Sequence, residues 1–103
     1  AMTKQEKIMC IQSLFDEQRV ELFYQALEDM EDYKGNYSDY MTTRPINCNE
    51  ELKRVPDADY ELCTALLMML LREDHFSNGS FEQRVQAGDV RPLLERMTEL
   101  LMI

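Results

Sequence analysis

The sequence predicts an all-α fold, a compact bundle of four or five helices around a central apolar helix at about residues 58–73. Three observations carry that prediction. Glycine and proline number only three each in 103 residues, which leaves few turns between long regular elements. Apolar residues recur three and four positions apart through residues 8–15, 20–30 and 90–101, the spacing that gathers them on one helical face. Leu62 to Leu71 is apolar all round, with only Thr64 inside it, and a helix without a polar face has to be surrounded by others. No segment reads convincingly as a strand, and there is no internal repeat.

Ala1 ahead of Met2 reads as a remnant of tag cleavage, which leaves residues 3–103 as one helical domain. Thr3 with Glu6 forms a capping box, so a helix is expected to open there with Ile8, Ile11, Leu14 and Phe15 on one face. Asp16 either caps a second helix or punctuates one long helix. From Val20 the stripe is Val20, Phe23, Tyr24, Leu27 and Met30, with Glu21, Glu28, Asp29, Glu31 and Asp32 standing off it.

Residues 33–57 are the least regular. Gly35-Asn36 signals a turn, Pro45 and Pro56 break helices, and Asn47 or Asn49 is placed to cap a short turn from Glu50 to Arg54. A connection of roughly 25 residues is long for a compact domain, and such loops are often functional or mobile. Tyr37 and Tyr40 either pack it down or serve a partner. Asp57 is expected to cap the central helix, which runs to about Glu73. A turn follows through Ser77-Asn78-Gly79, then a second capping box from Ser80 and Gln83, then Gly88 as the left-handed closing residue. Asp89 is expected to cap the last helix, with Pro92 in its first turn and Val90, Leu93, Leu94, Met97, Leu100 and Leu101 as its stripe.

Twenty acidic side chains against eleven basic ones give a net charge of −9 at pH 7. Such a surface repels phosphate backbones and anionic membranes, which argues against direct duplex DNA binding. The longest apolar stretch is about half of a membrane span. The acidity therefore serves solubility or meets a basic protein surface. Cys10, Cys48 and Cys63 are odd in number and lack Cys-x-x-Cys spacing, so free thiols in a reducing cytoplasm are expected. No leader pattern opens the chain, which also predicts a cytoplasmic location.

Nothing in the pattern resembles an active site. His75 is the only histidine, and the nearest thiol in sequence, Cys63, sits inside the apolar segment where thiols serve packing. One histidine and scattered cysteines make no metal set, and calcium-loop and phosphate-loop motifs are absent, so no cofactor is expected. The eight methionines, Met68 and Met69 adjacent among them, are read as core filler more than as an adaptable groove. Residues 81–102 have the outline of a helix-turn-helix, but Arg84, Arg91 and Arg96 are matched by Glu82, Asp89 and Glu95.

The acidic cluster is the feature with the most specificity. Residues 1–40 hold nine acids against four bases. On a continuous helix Glu21, Gln25, Glu28 and Asp32 form one exposed row, which Glu17 extends. Carboxylates spaced along a rigid rod imitate the phosphates of a strand and suit a basic nucleic-acid channel. The competing reading is a solvated helix face.

Thr64 to Phe76, then Gly79 and Gly88-Asp89-Val90, resembles a family of uncharacterised small bacterial proteins of the kind carried by plasmids, phages and conjugative elements. In that family an apolar helix ends in Arg-x-x-x-Phe, here Arg72 to Phe76, before a glycine turn and two short helices. The resemblance covers about a third of the chain and implies a helical fold. In the motif, Arg72 complements the helix dipole, Phe76 is expected to tuck back onto the core, and Gly79 permits the turn. In size and charge the chain is also similar to small acidic anti-CRISPR proteins that inhibit Cas9.

The expected function is a non-enzymatic acidic inhibitor of a basic nucleic-acid-handling protein, Cas9 or its guide-RNA complex being the concrete partner. Its protein-binding residues are Glu17, Glu21, Glu28, Asp29, Glu31 and Asp32. The alternatives are a helical scaffold or accessory protein of a plasmid or phage, and a small DNA-binding regulator.

Overall fold

A computed structural model describes residues 1–103 as six α-helices and two short 3-10 turns, with no strand. Helix α1 (Lys4–Gln12) starts at the expected box, where Thr3 caps Glu6 and the Glu6 carboxylate accepts from the Thr3 amide at 2.9 Å. The helix ends at Gln12 and the next begins at Val20, so α1 and α2 (Val20–Asp29) are separate helices. Asp16 caps neither of them; it is exposed and pairs with Arg91 at 3.1 Å. Helix α2 buries Phe23, Ala26 and Leu27 and leaves Glu21, Gln25, Glu28 and Asp29 outside.

Residues 33–57 are more ordered than the sequence suggests. A 3-10 turn at Tyr37–Tyr40 leads to helix α3 (Cys48–Leu52), which Asn47 caps by accepting from the Glu50 amide at 3.1 Å. Glu51 is the unexpected anchor, fully buried at 0% exposure. Its carboxylate accepts from the Thr42 and Thr43 amides at 3.0 and 2.7 Å and from the Arg54 guanidinium at 2.8 Å. That latch ties the loop to α3 and satisfies a charge that would otherwise be costly to bury.

Helix α4 (Tyr60–Phe76) is the hub, and every residue from Cys63 to Leu71 is buried, as its all-apolar surface requires. Its cap is Asp59, not Asp57, because Pro56 lies in a 3-10 turn over Val55–Asp57 that ends before the helix begins. Asp59 accepts from the Leu62 amide at 2.8 Å. The helix also runs three residues past Glu73.

Helix α5 (Ser80–Gln86) lacks the expected capping box; Ser80 Oγ is buried with no partner. Asp74 replaces it from the preceding helix, accepting from the Gly79 and Phe81 amides at 3.1 and 3.0 Å. Gly88, at φ 83°, closes α5 as expected. Helix α6 (Arg91–Leu101) has no side-chain cap, because Asp89 pairs instead with Arg84 at 3.0 Å.

The core is one cluster of 22 buried residues centred on α4. Helix α6 lies against both α1 and α4, while the 3-10 turn at Tyr37–Tyr40, α5 and α3 cover the rest of the hub. Phe23 of α2 meets Phe81 of α5 edge to face at 4.7 Å, joining the two flanks. No helix is long and apolar enough to cross a membrane.

Candidate functional site

The sequence nominates six carboxylates, and the structure sorts them into three settings. Glu21, Glu28 and Asp29 are exposed on the outward side of α2, with no Lys, Arg or amino terminus within 4.0 Å. Glu28 stands two turns beyond Glu21, about 10 Å along the axis at 1.5 Å per residue. Gln25 lies between them and donates to Asp29 at 2.9 Å, which orients that carboxylate without neutralising it.

Glu17 is already engaged. It lies ahead of α2 and accepts from the Gln18 and Arg19 amides, both at 3.0 Å, and from the Arg19 guanidinium at 3.1 and 3.2 Å. Hydrogen bonds from Arg19, outweighing desolvation, hold its carboxyl at about 2, well below the usual range. The pair presents nearly no net charge to a partner.

Glu31 and Asp32 are not on the helix at all, which corrects the expected row of Glu21, Gln25, Glu28 and Asp32. The helix ends with Met30 as its cap residue, and Glu31 follows in the left-handed region at φ 60°. The Glu31 amide donates to the Glu28 carbonyl at 3.0 Å and the Asp32 amide to the Leu27 carbonyl at 2.9 Å. These are the paired bonds of a Schellman close, which turns the next residue back against the helix. Asp32 is therefore buried, at 9% exposure. It holds Lys7 at 3.1 Å and the Tyr60 hydroxyl at 2.7 Å. Glu31 stays exposed, 3.9 Å from the amino group of Ala1.

The one histidine and the buried thiol weighed from the sequence do not meet. Cys63 and His75 are twelve residues apart on one helix, about 18 Å along its axis. Burial pushes the Cys63 thiol up to about 12 and the Cys48 thiol up to about 11, which keeps both protonated and unreactive. No three His, Cys, Asp or Glu side chains converge as a metal set. Arg84 is held by Glu73 on two bonds at 2.7 and 2.9 Å and by Asp89, so this part of the helix-turn-helix outline offers no free guanidinium.

Sequence reasoning missed a shallow groove at the end of α4, lined in part by Tyr37, Ile46, Met69 and Arg72, with Phe76 at its lip. Phe76 does not tuck back onto the core; it is 79% exposed. The signal was present in the spacing. Arg72, Glu73, Asp74 and His75 are polar, so the hub has already left the core before Phe76 is reached.

No curated protein and no solved structure matches the chain. A family model, described as a family of unknown function (DUF6508), matches residues 1–102. The expectation of an uncharacterised family stands at that level, and the chain belongs to DUF6508.

Proposed function

We propose that this protein is a non-enzymatic binding protein that docks a basic protein surface through the outward side of α2. One observation carries the reading. Glu21, Glu28 and Asp29 stand exposed and without a cation, whereas Glu17, Glu51, Glu73 and Asp32 are each spent on a partner within the chain. Unpaired like charges on a rigid helix repel one another, and a basic partner relieves that repulsion on contact.

The partner class is a basic nucleic-acid-handling protein, with a Cas9-like RNA-guided nuclease as its concrete member and inhibition as the outcome. A net charge of −9 supports it, since the same charge disfavours direct contact with duplex DNA. Carriage on a mobile element belongs with this reading. The test is DNA cleavage by the nuclease, with the protein added before or after the guide. Inhibition that disappears when Glu21, Glu28 and Asp29 are all changed to Lys supports the proposal. Undiminished cleavage in both orders across several orthologues ends the anti-CRISPR reading.

A further inference from the structure

We propose a second docking site at the groove beside Phe76, which takes a short peptide segment carrying an apolar side chain next to a carboxylate. The groove has a volume of about 310 Å³ and lies between the end of α4 and the segment around Tyr37, Ile46 and Cys48. Met69, itself buried, contributes from the hub, Ile46 and Tyr37 are half-buried, and Phe76 presents most of its ring to solvent. Aromatic side chains and Arg are the residue types enriched where one protein grips another.

The charge at the groove selects the occupant. Arg72 lies 5.8 Å from the centre of the Phe76 ring and beside the Tyr24 hydroxyl. Every other Lys and Arg of the chain reaches a carboxylate or a backbone carbonyl, whereas Arg72 reaches neither. In a molecule of net charge −9 this is a guanidinium left without its anion. Glu73 lines the same groove but is turned to Arg84, which holds both of its oxygens, and makes no ion pair with Arg72 within 4.0 Å. A carboxylate on the incoming segment completes the fork of Arg72, and its apolar neighbour covers Phe76. A basic segment leaves Arg72 uncompensated and fits the α2 carboxylates instead. The inference therefore stands or falls separately from the proposed function.

Random peptides displayed on phage, selected on the full chain, provide the probe. The expected result is enrichment of sequences that set Asp or Glu within two positions of an aromatic or aliphatic residue. Fluorescence polarisation of a labelled selected peptide should then weaken by about tenfold or more in Phe76→Ala, equivalent to about 1.4 kcal/mol. Phe76 is exposed, so this variant keeps its fold, checked by its unchanged thermal melt. Repeating the selection on Arg72→Glu should reverse the charge preference from acidic to basic, a gain that a damaged fold cannot produce. The proposal is overturned by no enrichment, by peptides without an acid, by basic peptides on the wild type, or by affinity unchanged in Phe76→Ala. Sedimentation of the wild type alone as a dimer that Phe76→Ala splits makes the groove a seam between two copies, and overturns it equally.

Discussion

The Tyr60 hydroxyl donates to Asp32 Oδ2 at 2.7 Å, binding the turn after α2 to the first residue of the hub helix. Lys7 of α1 reaches the same carboxylate at 3.1 Å, so one buried acid joins three elements. Asp32→Lys removes that junction and sets two cations against each other. It is expected to cost roughly 2–4 kcal/mol, the scale of breaking a largely buried ion pair. Glu28→Lys, on the exposed side of α2, is expected to shift stability by less than about 0.5 kcal/mol. Urea denaturation of the two variants distinguishes the buried acid from the surface one. Equal, small losses would contradict the assignment of Asp32 as structural.

Glu31 holds a left-handed backbone at φ 60°, where a side chain is strained, and its charge sits at the negative end of the α2 dipole. Glu31→Gly removes both penalties and is expected to stabilise the protein by about 1 kcal/mol. A rise in the urea midpoint at constant slope is the readout. A lower midpoint would mean that the Schellman close depends on the Glu31 side chain.

Glu51 links acidity to stability. Burial alone would raise its carboxyl, but hydrogen bonds from Thr43 and Arg54 overcome that and hold it at about 2, against an ordinary value of 4.5. A folded pKa below the unfolded one contributes stability that is complete above about 4.5 and is lost as the pH falls towards about 2. Over that window Glu51 accounts for roughly 3 kcal/mol at most, at 1.4 kcal/mol per unit. Glu51→Gln should be less stable than the wild type at neutral pH, with the gap closing as the pH approaches about 2. Parallel stability curves for the two proteins would exclude the latch as the source.

The hub is tested by Leu66→Ala and Leu70→Ala. Both side chains are fully buried, and each truncation should cost roughly 2–5 kcal/mol through lost transfer energy and a residual cavity. Losses below about 1 kcal/mol at both positions would place the helix at a surface.

How much of this was legible depended on whether the deciding contact was local. The apolar run of residues 62–71 names the hub unaided, and the Thr3–Glu6 box names the first helix start, because both signals lie within a turn or two of their effect. The α5 cap was illegible. Asp74 supplies it from the preceding helix across a left-handed Gly79, so Ser80 and Gln83 only had the right spacing. Glu51 reads as one surface acid among many, until Thr42 and Thr43 fold over it from nine and eight residues away. The candidate face was half legible. Helical spacing placed Glu21, Glu28 and Asp29 outside, but extending the helix past Met30 put Asp32 on the wrong side.

The proposed contact is between the unpaired carboxylates of α2 and a basic surface. Its most direct measurement is the association rate with immobilised Cas9, guide-free and guide-loaded, at low and physiological salt. The wild type should associate quickly at about 50 mM salt and several-fold more slowly at about 150 mM, as screening shortens the reach of the charges. The variant with Glu21, Glu28 and Asp29 changed to Lys should keep its thermal melt and lose association in both buffers. Absent wild-type binding at low salt across several orthologues, or equal binding by the variant, would contradict the claim.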